Sequence, residues 1–215
     1  LRRRCYGLFM KKLACLMASF LLLTGCAQSA TENSDDKTSV KMYFVADTPR
    51  GLKLFSEIHQ FSPADDLKLQ VISDLVSGKI APLDPDYTNL WGGSNSVISI
   101  SITDSVASID LGAISLNVGA EAEQRAIDQI VWTLTALAPE VKSVALTVNG
   151  KTVESFAGHV DTTAQFVRAI DYEVLNPIQI SSINEGAELT APFAVSGQAC
   201  TFEANIVWKL LHNDK

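Results

Sequence analysis

Apolar and polar residues alternate over residues 40–46, with Val40, Met42 and Phe44 on one side and Lys41, Tyr43 and Val45 on the other. That period of two is the pattern of a strand. Pro49-Arg50-Gly51 marks a turn, and residues 53–60 alternate again as a second strand, with Leu54, Ser56, Ile58 and Gln60 sharing a face. Ser62-Pro63-Ala64-Asp65 predicts a helix start: Ser62 as N-cap, Pro63 at the first helical position, Asp65 placed for a capping box. Leu67, Val71, Ile72, Leu75 and Val76 follow at helical spacing, and Gly78 suits the left-handed position after the helix.

Residues 79–94 hold Pro82, Pro85, Gly92 and Gly93 and read as a long loop. Residues 97–102 and 106–111 predict two strands joined by a tight turn at Thr103-Asp104-Ser105. The clearest helix covers residues 121–137. Ile127, Ile130, Val131, Leu134 and Leu137 form its apolar stripe, and Glu121 and Glu123 suit the positive end of its dipole. Residues 141–148 and 152–156 read as a second hairpin around Asn149-Gly150. Helices interspersed with hairpins predict an α+β domain over residues 40–170, a mixed, largely antiparallel sheet with two packed helices.

The first 39 residues carry a different message. The apolar run of residues 13–23 is too short for a membrane span, which needs roughly 20 apolar residues. It suits the core of a signal peptide, with Lys11 and Lys12 as its basic flank. Leu23-Thr24-Gly25-Cys26 fits a lipoprotein processing site at every position. Cleavage after Gly25 leaves Cys26 as the N-terminus carrying diacylglycerol, whose two chains give stable anchoring. The expected organisation is a signal peptide over residues 1–25 and a polar tether over residues 26–39, with a reach of roughly 20 Å. The expected location is the extracytoplasmic face of the cell membrane.

The chain has 17 basic and 24 acidic residues. Removing the leader takes five basic residues and no acidic one, which leaves a formal charge of −12. Such a surface repels phosphate backbones, so nucleic acid is not an expected partner. Of four cysteines, two leave with the leader and Cys26 is acylated. Cys200 alone remains, read as a small buried hydrophobe in preference to a reactive thiol.

Certain segments together resemble a known family. They are Val40-Lys41-Met42-Tyr43-Phe44, Ile98 to Ile102 with Val106 to Leu111, Gln129 to Thr135, Val141 to Val144, Asn149-Gly150-Lys151 and Gly158-His159-Val160-Asp161. Their order is similar to the GerMN domain of sporulation and spore-germination lipoproteins. The resemblance implies an exported or membrane-attached accessory or assembly factor, some relatives accompanying sensor kinases, and it carries no catalytic residues. Ile180-Ser181-Ser182, residues 191–197 and residues 202–208 resemble the start of the immunoglobulin-like domain of spore-germination proteins. Residues 178–215 hold at most three strands of a sandwich that needs about seven. The tail is therefore expected to be an incomplete β-sandwich stub of a truncated product or fragment, which either frays or leans Phe193, Val195, Ile206 and Trp208 on the first domain.

Candidate chemistry is sparse. His59, His159 and His212 are scattered, and His159 with Asp161 reads as a turn anchor before a metal pair. Gly92-Gly93-Ser94 lacks the strand–turn–helix setting of a serine nucleophile and reads as a hinge. Asp84-Pro85-Asp86 offers two carboxylates where calcium takes six to eight oxygens. No catalytic, cofactor or metal site is expected. Trp132 reads as core or interface, whereas Trp91, beside the glycine pair, is the one candidate contact for a partner or ligand.

Three readings follow. The first is a non-enzymatic envelope lipoprotein that docks through a sheet edge onto other exported envelope or spore proteins, or onto itself. The second is a ligand-sensing accessory of a membrane kinase, with residues 79–94 and Trp91 as lid. The third is a cell-wall hydrolase using His159 and Asp161.

Overall fold

The computed structural model describes residues 37–183, 185–200 and 206–211. Cys26, Gly25, the leader and most of the tether lie outside the described residues. Strands β1 (Thr38–Thr48) and β2 (Gly51–Phe61) form an antiparallel ribbon in register from Thr48↔Gly51 to Thr38↔Phe61. The ribbon takes in Thr38 and Ser39, which the polar composition assigned to the tether. Ser39 and Gln60 bond to each other through their side chains, at 2.9 Å for the Gln60 amide donating to the Ser39 hydroxyl.

Helix α1 (Leu67–Val76) starts later than the Ser-Pro signal predicts. Its N-cap is Asp66, whose carboxylate accepts from the Leu69 N–H at 3.0 Å. Ser62 and Pro63 lie outside it, exposed. Capping at Asp66 begins the helix at its first apolar residue, Leu67. At the other end Gly78 takes φ +70° and donates its N–H to the Leu75 carbonyl at 3.1 Å. A Cβ there would lie 2.7 Å from the Gly92 Cα, so conformation and space both require glycine. Gly78→Ala is expected to lower stability by about 1–3 kcal/mol in a denaturant melt.

Strands β3 (Val97–Thr103) and β4 (Val106–Leu111) form the predicted hairpin. Asp104 and Ser105 both have positive φ, +50° and +65°, which gives a turn whose twist matches the strands without glycine. Helix α2 (Ala120–Leu137) then leads to β5 (Ser143–Val148), which pairs parallel with β4 in the order β3-β4-β5.

The second predicted hairpin does not form. Asn149 and Gly150 do turn the chain, at φ +49° and +72°, but beyond them only Lys151 bridges back to Val148. Asp110 holds the turn against β4, accepting from the Gly150 N–H at 2.7 Å and the Thr147 hydroxyl at 2.8 Å. Farther along, the N–H groups of Phe156, Ala157, His159 and Val160 go to a buried carboxylate on α2, Glu123, and form no ladder.

Every residue of α2 from Ala126 to Leu134 is buried. Ile127, Ile130 and Leu134 join Ala107, Ile109, Leu111, Val144 and Leu146 in the main core. Trp132 belongs to a second cluster with Tyr43, Val45 and Leu54 of the ribbon. The helix is thus covered by both β layers. Polar α2 residues stitch it to β1: the Tyr43 N–H donates to the Thr133 hydroxyl at 3.2 Å, and the Gln129 amide to the Tyr43 carbonyl at 3.1 Å.

A one-turn helix, α3 (Asp171–Val174), leads to β6 (Ile178–Ile180), which pairs antiparallel with β7 (Gly197–Ala199). Among the described residues the tail shows this single short ladder. Phe193, Val195 and Trp208 line a cavity of about 550 Å³ together with Phe55 and Tyr87, and Val195 and Trp208 are exposed. Cys200 is exposed, contrary to the expectation of a buried hydrophobe, because β7 delivers it to the rim of a two-stranded ladder with no layer over it. Among the described residues no helix is long and apolar enough to cross a membrane.

Candidate functional site

The residues with the strongest chemical potential hold the fold together. Glu123 is fully buried and gathers five donors. Its Oε1 accepts from the Ser155 hydroxyl at 2.7 Å and the N–H groups of Phe156 and Ala157 at 3.0 and 2.8 Å. Its Oε2 accepts from the N–H groups of His159 and Val160 at 2.9 and 3.2 Å. Burial pushes this carboxyl up, and the bonds from Ala157, Ser155, His159 and Phe156 outweigh it, so its pKa lies below the usual value. A sequence signal did exist: Glu123 is four residues before Ile127, on the apolar stripe, where a carboxylate must be buried.

His159 and Asp161 accordingly serve the turn. The His159 backbone binds Glu123, and Asp161 accepts from both the N–H and the hydroxyl of Thr163, at 2.8 and 2.6 Å.

Trp91 is not an exposed contact. It is buried, its indole N–H donates to the Ala126 carbonyl at 2.6 Å, and its ring meets Phe156 edge-on at 6.1 Å. The loop around it is pinned along its length. Tyr87 stacks on Phe55 at 4.6 Å, Thr88 bridges Val45, the Asn89 amide donates to the Leu75 carbonyl, and the Leu90 N–H donates to Gln129. The loop is a wall of the core, which removes the lid that the ligand-sensing reading requires.

Glu57 anchors the start of the same loop. It accepts from the Leu83 and Asp84 N–H groups, each at 2.8 Å, and meets the buried His59 ring at 2.9 Å. Burial raises its pKa, and the bonds from His59, Leu83 and Asp84 overcome that and lower it. The carboxylates of Asp84, Asp86 and Glu185 lie within 4.8 Å of one another at the surface.

The ribbon has two outer edges. On β1 the main chain of Tyr43 is met by Thr133 and Gln129, and that of Val45 by Thr88. On β2 the register turns the N–H and C=O groups of Leu52, Leu54, Ser56, Ile58 and Gln60 outward. Glu121 accepts from the Leu52 N–H at 2.9 Å, and Arg125 donates to the Leu52 carbonyl at 2.9 Å. The Asn176 N–H donates to the Leu54 carbonyl. Gln179, buried, spans the next gap. Its Oε1 accepts from the Ser56 N–H at 3.0 Å, and its Nε2 donates to the Leu54 carbonyl at 3.1 Å.

Beyond Gln179 a cavity of about 320 Å³ borders β2, lined by residues that include Lys41, Ser56, Ile58, Tyr87, Ile180 and Ser181. This stretch of open strand edge is the candidate site. Sequence reasoning missed it, because which edge is covered depends on contacts across more than 100 residues.

Comparison with known proteins agrees with this architecture. No curated protein matches the sequence. The chain is similar in structure to the tandem GerMN domains of the sporulation protein GerM from Bacillus subtilis. Identity is 18%, the TM-score is 0.50, and the match covers 61% of this chain and 46% of that one, so the chain spans about half of the tandem structure. The first GerMN domain of the same protein matches at 17% identity and TM-score 0.48, covering 60% of this chain and 96% of that one. The profile of the Germane family, described as sporulation and spore germination, matches residues 33–154. Those residues hold both helices that pack the core and all five strands of the ribbon and the β3-β4-β5 sheet, and on that match the chain belongs to the Germane family.

Proposed function

We propose that this protein is an exported lipoprotein, anchored at the membrane through Cys26 after cleavage behind Gly25, that acts without catalysis as an interaction or assembly factor in the envelope. Membership of a sporulation and spore-germination family supports a role in one of those processes. The observation that carries the docking role is the stretch of the outer β2 edge beyond Gln179, at Ile58 and Gln60, whose outward main-chain groups have no hydrogen bond among the described residues. A strand edge with free main-chain groups accepts an extended segment by hydrogen bonding, and side-chain pockets beside it select the partner. The partners are other exported envelope or spore proteins, or another copy of the chain. Confinement to the membrane raises the local concentration of such a domain and compensates for a modest interface. The resemblance of the tail to an immunoglobulin-like module fits a chain that presents more than one docking element.

Two measurements test this reading. Mass spectrometry of the native protein is expected to find diacylglycerol on Cys26 and no leader. An uncut, unacylated chain overturns the anchoring. Cross-linking in cells through vegetative growth and sporulation is expected to give a complex larger than the monomer. Recovery of monomer alone under every condition overturns the docking role.

A further inference from the structure

Asn149-Gly150 is chemically the most fragile pair in the chain, and the docking role makes no use of it. Asn149 is the only asparagine followed by glycine. In an unconstrained chain such a pair converts spontaneously. The main-chain nitrogen of the glycine attacks the asparagine Cγ, unhindered because glycine has no Cβ. The new N–Cγ bond closes a succinimide ring, the Cγ–Nδ2 bond breaks, and ammonia leaves with the proton that the main-chain nitrogen gives up. One water then opens the ring to aspartate or to isoaspartate. No oxidant or reductant takes part.

In the folded chain both residues are exposed, so geometry and not burial controls this reaction. Asn149 and Gly150 lie at φ +49° and +72°, and the Lys151 N–H closes the turn on the Val148 carbonyl at 3.0 Å. Positive φ at both central residues makes it a type I′ turn, which fixes the torsion that would carry the Gly150 nitrogen round to Cγ. Both reacting groups are also tied down. The Asn149 Nδ2, the leaving group, donates to the Gly112 carbonyl at 3.0 Å. The Gly150 N–H, the nucleophile, donates to Asp110 Oδ1 at 2.7 Å. Thr147, the partner of Asp110 across the parallel register, donates its hydroxyl to the same oxygen at 2.8 Å. The attacking species is the deprotonated nitrogen, and a carboxylate at hydrogen-bond distance disfavours negative charge there. A carboxylate is a far weaker base than an amide anion, so Asp110 holds this proton in place and does not remove it.

We propose that Asn149 is a deamidation site that the folded turn keeps silent, with Asp110 as the residue that silences it. Conversion then requires the corner between β4 and β5 to open, and it runs one way. Either product puts a carboxylate at position 149, in the corner that Asp110 already occupies, and removes the Nδ2 donor from the Gly112 carbonyl. The isoaspartate also lengthens the main chain by routing it through Cβ and Cγ. A corner that has opened long enough to react does not close again in the same form. The pair is therefore a one-way conformational device at the end of β5, independent of the β2 edge.

The test incubates the full chain in mildly alkaline buffer and follows residue 149 by peptide mapping with mass spectrometry, which separates amide, aspartate and isoaspartate. The folded chain is expected to convert roughly tenfold or more slowly than the same chain unfolded in urea, since only the open fraction reacts. Asp110→Ala is expected to speed conversion several-fold with an unchanged circular dichroism spectrum. Thr147→Val removes a bond from the same carboxylate without freeing the Gly150 N–H, and it is expected to convert at close to the parent rate. Conversion of the parent across sub-denaturing urea concentrations is expected to track amide exchange at Gly150, a readout that holds even where Asp110→Ala fails to fold. Equal rates in the folded and unfolded chains overturn the proposal. So does an Asp110→Ala chain that folds and converts no faster than the parent; slower conversion would make Asp110 a base. A rise in Thr147→Val as large as in Asp110→Ala would assign the protection to the general tightness of the corner and overturn the role of Asp110. Conversion that proceeds while the Gly150 amide stays protected overturns the proposal as well.

Discussion

Glu123→Ala is expected to cost about 3–5 kcal/mol, close to the whole stability of a marginal domain. The change strands five donors, four of them backbone N–H groups, in a site where the carboxylate is fully buried. An unsatisfied buried donor costs about 1–3 kcal/mol, with partial relief as the loop loosens and admits water. For a chain of this size the melting temperature should fall by roughly 10 °C or more. Glu123→Gln separates charge from shape. Its amide oxygen can still serve one set of donors, but its NH₂ meets the other, so it should lose about half as much. Hydrogen exchange should show Phe156, Ala157, His159 and Val160 becoming labile while β1 and β2 stay protected. A melt within 1 °C of the parent would show that the cradle contributes nothing.

The same residue sets a pH dependence. Its folded pKa is depressed by the N–H and hydroxyl donors, and the unfolded value is about 4.3. A depressed carboxyl contributes stability that is present above the unfolded pKa and is lost as pH falls through the folded one. Glu57 acts in the same direction. Unfolding free energy should therefore be level near neutrality and decline below about pH 4.3, and Glu123→Gln should flatten that decline.

Trp91→Ala is expected to be comparably severe, about 3–5 kcal/mol, as large-to-small changes of buried aromatics are. It opens a cavity against Phe156 and removes the bond to the Ala126 carbonyl. Trp91→Phe keeps much of the volume and loses the donor, at about 1–2 kcal/mol. Chemical denaturation distinguishes this from a ligand-contact role. A surface aromatic reserved for binding can be truncated with little change in midpoint, so an unchanged midpoint would return Trp91 to the surface. The expected shift makes the 79–94 loop part of the core.

The local elements were legible in the chain because they depend on near neighbours. Alternation over residues 40–46 and 53–60 predicted the ribbon, the stripe from Ile127 to Leu137 predicted α2, and Gly78 marked the end of α1. Periodicity reports one buried face, however, and α2 is covered from two sides. Gln129 and Thr133 lie off that stripe, and they bind β1. Asn149-Gly150 did announce a turn, but a turn does not decide what the next strand pairs with. Beyond the turn, Glu123, more than 30 residues away in sequence, gathers the N–H groups of Phe156, Ala157, His159 and Val160.

The expected targeting signal belongs to the same local class as the elements: a short apolar run, a basic flank and Leu-Thr-Gly-Cys are a linear pattern that can be read without any fold. The proposed docking edge belongs to the other class. Both edges of the ribbon have equivalent backbones, and only packing chose which groups were covered, through Glu121 and Arg125 at one end of β2 and Gln179 in its middle. Hydrogen-bonding capacity is uniform along a polypeptide, so where it stays unused is decided by which distant side chains the folded chain brings to it.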